Sequence, residues 1–546
     1  MRLNMARMSG GNAIVQSLVK HGVDTIFGLP GAQIYGLFDA LYEARDRINV
    51  IGARHEQGTA YMAFGYAKST GRVGTYTVVP GPGVLNTTAA LCTAYGCNSP
   101  VLCITGQVPS DYLGRGRGHL HELPDQLATM RSLTKWAARI EHPADAPRLV
   151  AEAFRQMNSG RPGPVELEMC WDTMDMEAEV ELTEPVQAEA SIPTDWEQIE
   201  QGAKTLTQAK KPMIMVGGGA LEAGKEILEL GETLQAPVVS FRSGRGIVSD
   251  DNDLGLTSAA GYNLWHDTDV LLGIGTRIEA PYIRWPHRPK GLKLIRIDVD
   301  PMEMVRLKPD VGIVGDSRIT ARELIKAVQK LGRVRPSRRE EIRDAKARAA
   351  RDIQKIQPQM SYLEVIREVL PRDGFFVEEV SQVGFTAWFG FPVYKPRTYV
   401  TCGYQGTLGF GFPAALGVKV ANPDKAVVSI SGDGGFMFGI QELATAVQYN
   451  ISVVTILFNN NAYGNVRRDQ EQRFYGHLVG SDLVNPDFVR LGESFGVAAY
   501  RAMTPVQLKG ALEKALGNNG PSLIEVPIEK GSEANPWGFI HPKPSG

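Results

Sequence analysis

Ser431-Gly432-Asp433-Gly434-Gly435, then an apolar-periodic stretch, then Phe458-Asn459-Asn460-Asn461-Ala462-Tyr463-Gly464, carries the clearest signature of chain architecture in the sequence. Before it, Lys425-Ala426-Val427-Val428-Ser429-Ile430 reads as a buried parallel strand. Phe436 to Tyr449 places Ile440, Leu443, Ala444 and Val447 at helical spacing, and Ser452 to Phe458 is the next strand. Strand, glycine turn, helix and strand make the repeating unit of a doubly wound sheet, whose ligands sit off the carboxyl ends of the strands. Asp433 and Asn460, 27 positions apart, both fall at such ends. An anionic oxygen after one strand and an amide oxygen after the next suit a hard Mg²⁺ or Ca²⁺, which also takes phosphate oxygens. The glycines beside Asp433 permit close backbone approach to a phosphate, and the helix that follows presents N-terminal amides to it. Either piece alone reads equally well as an ordinary turn, since glycine, aspartate and asparagine dominate turns.

The same alternation extends in both directions. Asn12 to His21 reads as a helix, and Val23 to Phe27 as a strand leading to Gly28-Leu29-Pro30-Gly31. Val73 to Pro80 and Pro100 to Thr105 are further strands, followed by Gly81-Pro82-Gly83 and Gly106-Gln107. A middle unit repeats the pattern through Pro212 to Val216, Pro237 to Phe241, Val270 to Gly275 and Leu294 to Asp298. Two stretches interrupt it. Met174 to Thr194 is acidic and proline-bearing, as linkers are. Arg333 to Gln357 interleaves acids and bases at helical spacing, which reads as a solvated linker helix rather than a nucleic-acid arm. The expectation is an α/β protein of three doubly wound parallel-sheet domains, over residues 1–175, 190–332 and 358–546.

At 546 residues the chain is too long for one core. Its 58 basic and 60 acidic residues leave no electrostatic footprint for nucleic acid, and its 43% hydrophobic and 22% charged content is that of a soluble protein. No apolar run approaches the roughly 18 residues of a membrane span, and Met1 to Arg7 lacks a signal-like apolar core, so the expected compartment is the cytoplasm. Cys92, Cys97, Cys103, Cys170 and Cys402 show no metal-ligand spacing and are expected as buried residues or free thiols.

Three segments together resemble one family. The Gly432-Asp433-Gly434 and Asn459-Asn460 pair, Arg54-His55-Glu56-Gln57-Gly58, and Gly403-Tyr404-Gln405-Gly406-Thr407-Leu408-Gly409-Phe410-Gly411-Phe412-Pro413 are similar to the motifs of thiamine diphosphate-dependent enzymes. Domain order is nearest the acetolactate synthase-like group, which includes decarboxylases and lyases. The resemblance implies an N-terminal pyrimidine-binding domain, a central Rossmann-like domain and a C-terminal diphosphate-binding domain. It gives Glu56 the role of pairing with N1′ of the aminopyrimidine, although by itself a glutamate at a helix start only complements the helix dipole. It implies that the Gly406 carbonyl and the Leu408 amide hold the pyrimidine, with the Leu408 side chain as the wedge that bends the cofactor. The metal set it implies is Asp433, Asn460 and the Ala462 carbonyl, with Gly432, Gly434 and Gly435 approaching the diphosphate. Because family members share each cofactor between subunits, it also implies a homodimer at least, and a homotetramer by the commoner family pattern.

The substrate-facing positions depart from acetolactate synthases. His119-Leu120-His121-Glu122 stands where they carry Phe-Gln, Cys170-Trp171 where they carry Pro-Lys, and Asp469 where they carry a pocket-shaping tryptophan, with Asn465 and Arg467 nearby. His119 and His121 are candidate proton-transfer residues, His121 the better matched. Arg277 matches an arginine that holds a substrate carboxylate or a flavin. Leu120, Trp171, Phe385, Asn465 and Asp469 are expected to line the pocket. Val216-Gly217-Gly218-Gly219-Ala220 lacks a full Gly-x-Gly-x-x-Gly, so FAD has only a weak claim on the central domain. The implied activity is carbon–carbon bond cleavage or formation on a 2-oxo acid or 2-hydroxy ketone (acyloin), by a decarboxylase, lyase or carboligase. The alternatives are acetolactate synthase, a flavin-dependent 2-oxo acid oxidase, and, from another class, a non-catalytic cofactor-binding subunit.

Overall fold

The computed structural model describes residues 5–185 and 192–543, which contain three six-stranded, wholly parallel sheets in succession along the chain. Strands such as Val165–Cys170 and Val454–Asn459 are buried along their whole length. This is why they read as unbroken apolar runs, since parallel sheets carry helices on both faces.

The N-terminal sheet runs Asn49–Gly52, Thr25–Gly28, Gly74–Val78, Val101–Gln107, Val165–Cys170, Trp136–Ile140 in spatial order. The C-terminal sheet runs Tyr399–Val400, Phe375–Val377, Val427–Gly432, Val454–Asn459, Ser522–Pro527, Ala498–Arg501. The two orders are the same. In each, the winding reverses between the first strand of the domain and the third, which opens a crevice at their carboxyl ends. The central sheet runs Gly255–Thr257, Val238–Ser240, Pro212–Val216, Val270–Ile274, Lys293–Asp298, Val311–Val314, winding outward both ways from its first strand as Rossmann folds do.

The outer domains are joined by two helices in unusually close contact. Glu56–Thr70 lies against Gly411–Ala421, and a Cβ on Gly65 would stand 2.0 Å from the Ala414 carbonyl oxygen. A Cβ on Gly417 would stand 1.9 Å from that of Met62, so only glycine permits this approach. Tyr61, Phe64, Phe410 and Phe412 pack into the shared core beside it.

Two local expectations change. Residues 186–191 of the acidic linker lie outside the described residues, but Glu177–Glu181 forms a strand antiparallel to Met5–Ser9. Its acids alternate with Ala178 and the buried Val180, a period-two pattern hidden by the charge. The charge-dense segment does form a helix, Arg339–Ile353, yet Ile342, Ala345 and Ala349 are buried in a core shared with Trp265, so one face is docked rather than solvated.

Candidate active site

The carboxyl ends of the C-terminal sheet gather the first half of the site. Gly432 and Phe458 are paired across neighbouring strands, which brings the Asp433 turn and the Asn459-Asn460 turn side by side. Asp433 opens a short helical turn, Asp433–Phe436, and is buried. The expected continuous helix from Phe436 to Tyr449 is broken there, resuming as Glu442–Gln448. Asn485, unmarked in the sequence, bridges the two turns: its Nδ2 donates to Asp433 Oδ2 at 2.7 Å and to Asn459 Oδ1 at 3.0 Å. Asn460 Nδ2 donates to Glu533 Oε2 at 2.7 Å, and its Oδ1 accepts from the Ala462 amide at 3.1 Å. Burial holds both Asp433 and Glu533 above their ordinary carboxylate range, and Asp433 further raises Glu533. Buried Asp433, half-buried Glu533 and asparagine oxygens form an oxygen-rich donor set of the kind hard divalent cations select, and a cation would offset the cost of ionising them. Gly434 and Gly435 have no room for a side chain: Cβ atoms there would lie 2.4 Å from the Tyr463 ring and 2.5 Å from Glu379 Oε1.

Above this turn lies the segment expected to hold a pyrimidine. Gly406 ends a short helical turn with φ of 60°, Gly409 has φ of 79°, and Leu408 is half-buried. Glu379 pins the segment from beneath: the Gly409 amide and the Ser431 hydroxyl both donate to its fully buried carboxyl group. Burial pushes this group up to about 7.

The carboxyl ends of the N-terminal sheet gather the second half. His55 caps the helix Glu56–Thr70 by accepting from the Gln57 amide, and Glu56 is its half-buried first residue, with Oε2 accepting from Asn86 Nδ2 at 3.0 Å. The turn that presents Glu56 is held by the C-terminal domain. Buried Glu442 accepts from the Arg54 amide at 3.1 Å and the His55 amide at 3.0 Å, and Tyr449 accepts from the Gly52 amide at 2.9 Å. His121 lies within reach of the Glu56 charge, and burial lowers its imidazole pKa. Its Nδ1 meets Gln33 Oε1 at 2.9 Å.

The expected pocket residues divide. Asn465 accepts from Trp537 Nε1 at 2.7 Å, and the Trp537 ring packs at a tilt against Phe385 at 5.1 Å, so these lie near the Asn460 turn. Asp469 is one turn further along the helix Gly464–Arg473, 3.9 Å from Arg473. Leu120 is exposed and Trp171 packs against Tyr35, both in the N-terminal domain. Arg277 is elsewhere: it donates to the Gly96 carbonyl at 3.0 Å and lines a cavity of about 400 Å³ at the winding reversal of the central sheet, with Gly217, Gly219 and Arg161. Toward the site, its guanidinium lies 4.8 Å from the ring of Tyr404. Among the described residues, no hydrogen bond or ion pair joins the Glu56 group directly to the Asp433 group.

The comparisons with known proteins agree with this arrangement. Residues 8–129 match the family described as thiamine pyrophosphate enzyme, N-terminal TPP binding domain; residues 199–324 match its central domain, and residues 379–526 its C-terminal TPP binding domain. The chain is 34% identical to a probable acetolactate synthase large subunit of Methanocaldococcus jannaschii, covering 96% of this chain and 92% of that one. It is 32% identical to a probable 2-ketoarginine decarboxylase of Pseudomonas aeruginosa, over 95% and 94% of the two chains. It is also 32% identical to a glyoxylate carboligase of Escherichia coli, over 96% and 94%. The sheets, the two halves of the site and these full-length likenesses converge: the chain belongs to the thiamine diphosphate-dependent enzymes of the acetolactate synthase-like group.

Proposed function

We propose that the chain cleaves or forms a carbon–carbon bond beside the carbonyl of a 2-oxo acid or 2-hydroxy ketone, with thiamine diphosphate and Mg²⁺ shared between two copies of the chain. The observation that carries this is the pairing of two like sheets. One ends in Glu56 and His121, the other in Asp433, Asn460 and the Gly406 to Leu408 wall, each set held by buried polar groups. When bound, thiamine diphosphate supplies the nucleophile and the electron sink for such a bond. Asp433, Asn460 and the Ala462 carbonyl would hold the metal, and Gly432, Gly434 and Gly435 would leave room for the diphosphate. Glu56 would hydrogen-bond the aminopyrimidine, with Asn86 fixing its Oε2. His121 moves the substrate's proton, with His119 beside it, while Leu120, Trp171, Asn465 and Asp469 shape the pocket. In this reading residues 1–175, 190–332 and 358–546 are the three functional units, the assembly is a homodimer or a homotetramer built from it, and five free cysteines fit a reducing cytoplasm.

Acetolactate synthesis is the second reading, favoured by the Methanocaldococcus jannaschii relative. FAD is a further option for the central cavity, where Gly217 and Gly219 leave no space for side chains against Gly275. A panel of 2-oxo acids and acyloins, with thiamine diphosphate and Mg²⁺ and scored for CO₂, aldehyde and acyloin, tests the proposal. Turnover without acetolactate from pyruvate is expected. Acetolactate as the main product would establish the second reading, and no turnover of any member would contradict both.

A further inference from the structure

Gln33 is fully buried beside the site and has no motif to mark it. Its backbone is left-handed, with φ of 74°, and so is that of its partner His121, with φ of 66°. Left-handed backbone in residues other than glycine costs on the order of 1–3 kcal/mol and persists where the surroundings impose it, often at functional sites. Here the surroundings are tight. A Cβ on Gly106 would lie 2.3 Å from the Gln33 carbonyl oxygen, and one on Gly81 2.5 Å from that of His121.

The hydrogen bonds fix the chemistry at each atom. Gln33 Nε2 stands 2.7 Å from the Leu120 carbonyl oxygen, which only accepts, so the amide nitrogen must face it. That leaves Oε1 toward His121 Nδ1 at 2.9 Å, and because Oε1 only accepts, Nδ1 must carry hydrogen. A neutral His121 then has its lone pair on Nε2. His119 is not determined in this way: its Nδ1 faces the Gln33 amide nitrogen at 3.4 Å and the Leu120 carbonyl at 3.2 Å, contacts that require opposite tautomers.

We propose that Gln33 is a positioning residue that holds the His121 proton on Nδ1, making Nε2 the atom that takes and returns the substrate's proton. The inference rests on the thiamine diphosphate reading above. In cleavage of a 2-hydroxy ketone, the hydroxyl proton on the departing carbon passes to Nε2. The O–H bond pair becomes the second bond of the aldehyde carbonyl, and the carbon–carbon bond pair stays with the acyl half. In synthesis the same proton returns from Nε2 to the new hydroxyl. Partial burial lowers the His121 imidazole pKa, which favours the neutral form that can accept.

The test uses Gln33→Gly, because glycine accepts the left-handed backbone while deleting both hydrogen bonds, with Gln33→Met as a bulkier second variant. Two rates are compared in the holoenzyme: deuterium exchange at C2 of thiamine diphosphate, and turnover of the fastest substrate in the panel. Turnover should fall at least about tenfold, a part of the roughly 10² to 10⁴-fold that a general acid–base group contributes, while C2 exchange stays within about twofold of wild type. The Gln33→Gly, His121→Ala double variant should be no slower than His121→Ala alone. ¹⁵N spectra of histidine-labelled wild type should show His121 protonated at Nδ1, a reading that needs no variant to fold. Unchanged turnover in Gln33→Gly, losses that multiply in the double variant, or a proton on Nε2 would overturn the proposal. Wild-type C2 exchange no faster than that of free thiamine diphosphate would instead overturn the cofactor reading itself.

Discussion

Glu379 shows how one buried carboxyl group organises its surroundings. It accepts from Gly409 above and Ser431 beside it, and so ties the Gly406 to Gly409 segment to the strand that leads into the Asp433 turn. Burial moves it from an ordinary 4.5 to about 7, and burial likewise pushes neighbouring Glu378 up to about 7. The folded protein therefore holds the Glu379 proton more tightly than the unfolded chain, and stability from this group is full below about 4.5 and lost as pH rises through about 7. Melting temperatures of the cofactor-free protein between pH 5 and pH 8 should fall with pH, and Glu379→Gln should remove its share of that slope, leaving the share of Glu378. An unaltered slope would show that Glu379 is already ionised in the fold. The strand-end placement of Asp433 and Asn460 was legible in the sequence from the elements around them, and Glu56 was singled out by its resemblance to a family motif at a helix start. Glu379, Glu442, Glu533, Asn485 and Gln33 were not legible. Each acts on a partner distant in sequence, as Glu442 does on His55 across 387 positions, and no local pattern records such a contact.

At the scale of elements, the strand-to-turn junctions decide where side chains cannot be. The strands were legible from their apolar runs, with ends displaced by a residue or two, as for Val427–Gly432 against an expected Lys425 to Ile430. The break between Phe436 and Glu442 was not, because it answers to the neighbouring loop: a Cβ on Gly409 would stand 2.4 Å from that of Phe438. Gly434 makes the same point at the Asp433 turn. Gly434→Ala drives a methyl group into the Tyr463 ring, next to the Asn460 turn, and overpacking of this sort costs about 1–3 kcal/mol. Thiamine diphosphate affinity, followed by quenching of intrinsic fluorescence, should drop at least about tenfold, the equivalent of 1.4 kcal/mol. Gly510→Ala, in the open helix Pro505–Leu516, is the control and should leave affinity unchanged. Equal affinities for both variants would remove the Gly434 turn from the binding site.

Across the whole molecule, the outer domains repeat one strand order and press together through Glu56–Thr70 and Gly411–Ala421. The alternation of elements made three α/β units legible, but not which faces meet, because the glycines that permit the contact also fit a loose helix. Glu442 and Tyr449 secure the turn bearing Glu56 to the C-terminal domain of the same chain, while no direct hydrogen bond or ion pair among the described residues takes Glu56 to Asp433. In the proposed dimer each copy would lend Glu56 to the Asp433 turn of the other, so that both groups would reach one cofactor. The direct measurement mixes two inactive variants, Glu56→Gln and Asp433→Ala, after dissociation and reassembly. Half the resulting dimers are mixed, and each mixed dimer contains one site with both groups intact, so activity should return to about a quarter of wild type. A mixture that stays as inactive as either variant alone would contradict a site built from Glu56 of one chain and Asp433 of another.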